Sequence, residues 1–196
     1  MKKLLVCILF VLINTQVTAQ DYYKGLDAYG TGDYASALEE FNALAKQENA
    51  QGQFMLGVMY GSGAGVPKDN TEAAKWYRLS AQQGYSYAQH NLGFMYTKGR
   101  GVLKDYSKAE KWFRLSAKQG DSDSQYNLGF MYEHGKGVIK DNDTAHMWYD
   151  IASANGHKNA GNSRDRLAVS MPPEAVQNAT AMAKKCIKSN MEKCGY

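Results

Sequence analysis

Residues 92–113 read LGFMYTKGRGVLKDYSKAEKWF, and the same skeleton returns at residues 56–77 and 128–149, each time at an offset of 36 residues. The columns that stay in step are those of Leu92, Gly93, Tyr96, Gly99, Gly101, Val102, Asp105, Ala109 and Trp112. A long series of columns in phase is the signature of a repeat architecture. Because stacked repeats present extended surfaces to partners, the pattern favours a binding function.

Each repeat is predicted to fold as a hairpin of two helices. In the second repeat Leu92, Met95 and Tyr96 fall at helical spacing. Gly99 would end this helix, since glycine tolerates the left-handed backbone common at helix C-termini. Asp105 is placed to cap the next helix by accepting hydrogen bonds from its free amides. That second helix carries one apolar stripe, formed by Ala109, Trp112, Phe113 and Ser116.

Gly93 lies in the middle of a predicted helix, where glycine costs about 1 kcal/mol relative to alanine. Its return at Gly57 and Gly129 predicts that the partner helix packs directly against this backbone. The tryptophans at 76, 112 and 148 are predicted to be core residues, because burying an indole covers up to about 250 Å².

The N-terminus has the three-part form of a secretory signal peptide. Lys2 and Lys3 precede the apolar run 4–13, and the small-residue stretch 17–19 follows, so cleavage is predicted after Ala19. The apolar run is too short to span a bilayer. Removing the leader reduces 23 basic residues to 21, against 19 acidic ones, a net charge of +2. This small, scattered charge does not indicate a nucleic-acid partner.

Two cysteines follow the leader, Cys186 and Cys194. A close pair in an exported chain predicts a disulfide, the alternative being two free thiols near the chain end. On the chain-entropy model, closing so short a loop contributes roughly 2–3 kcal/mol to stability.

The predicted organisation is all-α throughout, with a mean hydropathy of −0.53 that suits a soluble domain. The expected segments are a signal peptide at 1–19, a tetratricopeptide-like capping hairpin at 20–49, repeats at 50–85, 86–121 and 122–157, and a capping half-repeat with an amphipathic helix at 158–196.

The pattern L-G-x-x-Y-x-x-G-x-G-V-x-x-D-x-x-x-A-x-x-W-[YF] resembles the Sel-one-like repeat (SLR), a subfamily of tetratricopeptide-like helical repeats. The resemblance implies a right-handed α/α solenoid of stacked antiparallel hairpins with a concave groove lined by the first helices. It also implies adaptor or scaffold work rather than catalysis. By similarity, the groove residues are Gln51, Phe54, Val58, Tyr87, His90, Phe94, Lys98, Asp123, Tyr126, Phe130, Glu133 and His134. Phe94 and Phe130 have an alternative role, packing between repeats.

No motif in the sequence indicates catalysis, a metal site or a cofactor. The histidines lack the i, i+4 partner of a zinc helix, and no cysteine cluster supplies a metal site. His146 is expected on the solvent side of its helix and His157 in a turn. His90 and His134 fall in groove columns and are assigned to binding.

The favoured function is an exported, non-catalytic scaffold that binds another protein or peptide, periplasmic or secreted from a Gram-negative bacterium. The chain is expected to be a monomer, without a nucleic-acid partner and without membrane insertion after cleavage of the leader. One alternative is a periplasmic immunity protein that neutralises a secreted toxic lipase. A second is a penicillin-binding or weak β-lactamase-like enzyme, although the relatives that suggest it carry a cysteine pair in each repeat and this chain does not.

Overall fold

The computed structural model describes residues 21–192 and residue 194, and the described part is helical with no strand. The predicted leader at 1–19 lies outside the described residues. Two compact units are present, one ending at Gln83 and the other beginning at Gly84. In the first unit the helices are α1 (21–31), α2 (Tyr34–Lys46), α3 (Ala50–Ser62) and α4 (Asn70–Gln82). In the second they are α5 (Ser86–Lys98), α6 (Tyr106–Ala117), α7 (Ser122–His134), α8 (Asn142–Ala154), α9 (Ala160–Ala168) and α10 (Pro173–Lys188).

The two helices of each repeat pack against each other: α3 with α4, α5 with α6 and α7 with α8. The predicted hairpin signals are confirmed. Gly99 ends α5 with a left-handed φ of 66°. Asp105 begins α6, where its Oδ1 accepts a hydrogen bond from the Lys108 amide at 2.9 Å. Among the described helices, none is both long and apolar enough to cross a membrane.

The repeated mid-helix glycines face an aromatic ring of the partner helix. A Cβ placed on Gly93 would lie 2.9 Å from the Phe113 ring, closer than real contacts allow. The same position is 2.6 Å from a ring atom of Tyr77 at Gly57, and 2.6 Å from Tyr149 at Gly129. The predicted close approach of the partner helix is therefore confirmed, and the group that approaches the glycine is an aromatic ring.

The prediction that all three tryptophans are core residues was too broad. Trp148 is fully buried, but Trp76 and Trp112 are only half-buried. The ring that follows each tryptophan is buried in every repeat: Tyr77, Phe113 and Tyr149. Because this next position faces the glycine, it is the position that closes the hairpin in all three repeats.

Helix α8 is buried on more sides than the other second helices, because it packs against α7, α9 and α10. His146 is only 3% exposed as a result, so its expected place on the solvent side was wrong. Two charged groups of α9 affect the pKa of its imidazole: Arg164 lowers it and Asp165 raises it. Helices from later in the sequence thus cover a face of α8 that the helical spacing within one repeat assigns to solvent.

The ends of the chain are closed by different means. In the first unit Phe41 and Leu44 of α2 are fully buried in the core of the capping hairpin. In the second unit α10 begins directly after Pro172 without a side-chain cap. The predicted bond between Cys186 and Cys194 is present, with their Cα atoms 4.4 Å apart.

Candidate protein-binding surface

The first unit holds three of the candidate groove residues, all on α3. Gln51 is exposed, whereas Phe54 and Val58 are half-buried against the core. The Phe54 ring lies 5.7 Å from that of Tyr77, centroid to centroid. Both apolar candidates of the first unit are therefore partly used in packing within that unit.

The second unit differs, because its first helices leave three aromatic side chains open. Tyr87 is 60% exposed on α5, Phe94 is 37% exposed on the same helix, and Phe130 is 42% exposed on α7. Aromatic side chains are enriched at protein–protein interfaces and often carry much of their binding energy. These three therefore expose the largest aromatic surface among the candidates.

His90 is held by two polar groups at the start of α7. Its Nδ1 lies 3.0 Å from Ser124 Oγ and 3.2 Å from Asp121 Oδ1. Burial alone would raise the pKa of Asp121, but hydrogen bonds from His90 and Ser124 outweigh it and lower the pKa. A hydrolase relay needs the acid on one ring nitrogen and the nucleophile on the other. Here both groups meet the same nitrogen, and Ser124 is fully buried, so the cluster joins α5 to α7 instead.

Tyr126 packs against two other rings of the second unit. Its ring stacks on His157 at a centroid distance of 4.1 Å and an interplanar angle of 11°. The Tyr149 ring lies 5.4 Å away on another side. Asp123 is exposed beside these rings, with its Oδ1 3.5 Å from His157 Nε2.

Glu133 is buried in the second unit, although it was predicted to be a groove residue. It is 8% exposed and accepts a hydrogen bond from the Tyr149 hydroxyl at 2.7 Å. Arg166 of α9 donates to both carboxylate oxygens, at 2.8 and 3.1 Å. Burial would raise the pKa of Glu133, but the bonds from Arg166 and Tyr149 outweigh it and lower the pKa. Burial and the bond to Glu133 in turn raise the pKa of Tyr149.

His134 and Lys98, at the last turns of α7 and α5, each contact the candidate phenylalanine one turn earlier. The His134 ring stacks on Phe130 at 4.2 Å, and Lys98 Nζ lies 5.4 Å from the Phe94 ring centroid. Both phenylalanines therefore present one face to a basic or ionisable side chain and leave part of the ring open.

A cavity of about 210 Å³ lies between these two phenylalanines. Its lining comprises Phe94, Thr97, Lys98, Tyr106, Phe113, Asn127, Phe130, Met131 and Lys136. Sequence reasoning missed Tyr106, Asn127 and Lys136, because their columns lie outside the groove positions carried over from the resemblance. In the described part of the chain, no group of three or more His, Cys, Asp and Glu side chains is placed to hold a metal ion.

The comparisons with known proteins identify the family to which these hairpins belong. The sequence model of the Sel1 repeat matches residues 50–85, 86–121 and 122–157, which is more than half of the chain. The chain belongs to the Sel1 repeat family. Sel1 repeat folds commonly serve as protein-interaction scaffolds and are typically non-catalytic.

Two solved Sel1-type structures resemble the chain. A Sel1 repeat protein from Oxalobacter formigenes is 28% identical with a TM-score of 0.72, covering 86% of this chain and 77% of that one. A protective antigen present in uropathogenic Escherichia coli strains, displaying an SLR fold, is 30% identical with a TM-score of 0.75. That alignment covers 93% of this chain but 39% of the antigen, which is longer. These neighbours confirm the predicted all-α SLR solenoid class. A search of curated proteins gave no match.

The three Sel1 repeats differ from one another where the cavity lies. The columns of Phe94, Lys98, Arg100 and Tyr106 hold Val58, Ser62, Ala64 and Asn70 in the first repeat. The hairpin forms in both cases, since α3–α4 and α5–α6 pack alike. The aromatic and basic residues of the second and third repeats are therefore not required by the Sel1 hairpin itself. A comparison of the repeats column by column could have pointed to these positions from the sequence.

Proposed function

We propose that this Sel1 repeat protein is an exported, non-catalytic adaptor that binds another protein through the first helices of its second unit. The observation that carries the proposal is the partial exposure of Phe94 and Phe130 on α5 and α7. Large apolar side chains grouped on one surface mark interaction sites more often than isolated ones do.

The alternative role of these two rings, packing between repeats, is only partly satisfied. Phe113 and Met131 beneath them are buried, whereas the phenylalanines keep 37% and 42% of their surface open around the cavity. A partner that covers this surface would complete their burial, which supports their use as contact residues.

Export is supported by three features. The N-terminal sequence has the pattern of a secretory leader. The disulfide between Cys186 and Cys194 is of a kind that persists in oxidising compartments. The third is that the similar Escherichia coli protein is a protective antigen.

The two finer alternatives receive no specific support from the geometry. An immunity protein would form a tight one-to-one complex with a secreted lipase effector. A penicillin-binding or β-lactamase-like enzyme would turn over nitrocefin as a purified chain. His90 and Ser124, which are adjacent in the second unit, lack the relay arrangement of a Ser–His–Asp hydrolase.

Site-specific cross-linking in the native envelope tests the proposal. A photoreactive side chain is placed at Phe94, at Phe130, or at Leu115, which is 46% exposed on the second helix α6 and serves as the matched control. We expect one protein to be captured from positions 94 and 130 and not from 115. Capture from position 115 alone would show that the binding surface lies elsewhere. Unchanged partner binding by a Phe94→Ala/Phe130→Ala variant with an unchanged melt would show the same.

A further inference from the structure

We infer that the cavity between Phe94 and Phe130 receives one large apolar side chain from an acidic peptide segment of the partner. The inference rests on the proposed function and adds the chemistry of the segment that is bound. It follows from the size of the cavity, from the charge around it and from the differences between repeats.

The size and lining of the cavity suit a single side chain. Its volume of about 210 Å³ is below the range of about 300–1,000 Å³ that is usual for small-molecule pockets. Phe94 and Phe130 form its walls, and the buried Phe113 and Met131 lie beneath. An apolar side chain that enters would complete the burial of two half-open rings, as anchor residues do at the centre of interfaces.

The rim of the cavity is basic. Lys98 and Lys136 line it, and its lining contains no acidic residue. Arg100 lies beside it, with Cζ 5.8 Å from the Phe94 ring, and Lys104 Nζ is 5.0 Å from the Tyr106 ring. Among the described residues, none of these four cations forms an ion pair.

The cations are drawn to ring faces instead of to carboxylates. Lys98 Nζ lies 5.4 Å from the Phe94 centroid, and Lys136 Nζ lies 5.9 Å from that of Tyr106. A cation over a ring is attracted by the ring quadrupole, but it keeps its charge and its N–H donors. The rim therefore presents a positive potential to an incoming segment, and acidic residues beside the apolar anchor would complement it.

The differences between repeats support the same inference. The first repeat folds with Val58, Ser62 and Asn70 in the columns that hold Phe94, Lys98 and Tyr106 in the second. Because the hairpin does not need these residues, rings and cations at this one place indicate a ligand. A peptide fits better than nucleic acid or a membrane, since the basic residues surround a concave apolar site and form no extended stripe.

The test begins with selection of short random peptides displayed on phage against the purified chain. We expect the enriched peptides to have a net negative charge and one large apolar residue. Their binding is expected to weaken as salt rises, because the rim charges are exposed and therefore screened.

Variants then locate the binding. Lys98→Glu/Lys136→Glu reverses two rim charges, and Lys111→Glu/Lys184→Glu makes the same charge change on exposed lysines outside the cavity lining. The dissociation constant of an enriched peptide is expected to rise about tenfold or more in the first pair and by less than about threefold in the second. Phe130→Ala is expected to weaken binding about tenfold, and Leu115→Ala is its control. Circular dichroism melts confirm folding, and Lys98→Gln/Lys136→Gln replaces the charge reversal at these two positions if that variant fails to fold.

The outcomes separate this inference from the proposed function. Neutral or basic peptides that need Phe130 but ignore Lys98 and Lys136 would overturn the acidic segment and leave the protein-binding function intact. Equal weakening by both charge-reversal pairs would overturn the cavity as the site. If inorganic phosphate or anionic vesicles displace the bound peptide as effectively as unlabelled peptide does, the cavity is a general anion site, and this also overturns the inference. If no peptide is enriched while cross-linking at Phe94 still captures a partner, the inference fails alone; if neither occurs, both fail.

Discussion

For single residues, the facing helix decides what a substitution does. Gly93 and Gly30 are both helical glycines, in α5 and α1. A Cβ on Gly93 would meet the Phe113 ring at 2.9 Å, whereas a Cβ on Gly30 would meet nothing within 4 Å. The two positions therefore differ in the contact that an added side chain would make.

Gly93→Leu is expected to lower the free energy of unfolding by roughly 1–3 kcal/mol, because overpacking forces the Phe113 ring and its neighbours out of their preferred rotamers. Gly30→Ala is expected to be neutral or to stabilise by up to about 1 kcal/mol, since alanine is the better helix former. Urea melts followed by circular dichroism measure both. An unchanged midpoint for Gly93→Leu would contradict the role of the glycine in helix approach.

His146 is the other residue whose surroundings determine a measurable property. It is 3% exposed, and its Nδ1 has no hydrogen-bond partner among the described residues. Burial lowers its pKa from the ordinary value of 6.5, with Asp150, Asp165 and Asp143 opposing the shift and Arg164 adding to it.

A lowered pKa in the folded state means that the unfolded chain binds the proton first. Stability linked to His146 is therefore complete above pH 6.5 and is lost as the pH falls from 6.5 through the folded pKa. We expect the Tm of His146→Gln to fall less than that of the wild type as the pH decreases through this interval. Asp121 and Glu133, with lowered pKa values, add losses only at more acidic pH. Parallel Tm curves for variant and wild type between pH 7 and pH 5 would refute the assignment.

Among the helices, the connection between α7, α8 and α9 passes through one carboxylate. Glu133 of α7 accepts hydrogen bonds from Tyr149 of α8 and Arg166 of α9. Because Arg166 is mostly exposed while Glu133 is buried, the bond to Tyr149 is the part that must be satisfied inside the unit. The carboxylate thus takes a structural role that its column does not reveal.

Glu133→Ala is expected to destabilise the second unit by about 1–3 kcal/mol, because it leaves the buried Tyr149 hydroxyl without its acceptor. In a Tyr149→Phe background the same substitution is expected to cost less, since no orphaned hydroxyl remains. Thermal melts of the two single variants and the double variant measure the coupling. Strict additivity would show that the hydrogen bond contributes nothing to stability.

Over the whole chain, the last repeat differs from the other two because α10 covers its second helix, α8. Leu79 and Leu115 are nearly half exposed on α4 and α6, yet Ile151 in the same column is fully buried on α8. Helix α10 packs on α8, and its residues Ala175 and Val176 contact the cluster around Tyr149. The cap therefore stabilises the last repeat by burying a face that the preceding second helices keep open.

Ending the chain at residue 170 is expected to remove this cover and destabilise the second unit. Tryptophan emission should shift to longer wavelength as water reaches Trp148 on α8, and a hydrophobic dye should bind more strongly. Lys184→Glu, an exposed change on α10, is the control and should leave both signals unchanged. A truncated chain with the same emission and the same melt would show that α8 needs no cap.

Much of this architecture was predictable because it depends on local spacing. The hairpin ends at Gly99 and Asp105, the close approach at Gly93 and the bond between Cys186 and Cys194 all follow from residues that are near in sequence or repeat at 36. The candidate surface was predicted less completely. Its exposed rings, Phe94 and Phe130, were included, but the cavity residues Tyr106 and Lys136 were not.

The sequence by itself determined the helices, their pairing in repeats and the family, because a period of 36 residues and its glycine and aspartate signals act within each hairpin. Only the tertiary structure decided which of the repeated positions meet water. His146 and Glu133 became buried through α9 and α10, and the basic aromatic cavity formed from side chains of α5, α6, α7 and the loop after α7. Burial depends on every element that covers a side chain, and periodicity within one repeat does not contain that information.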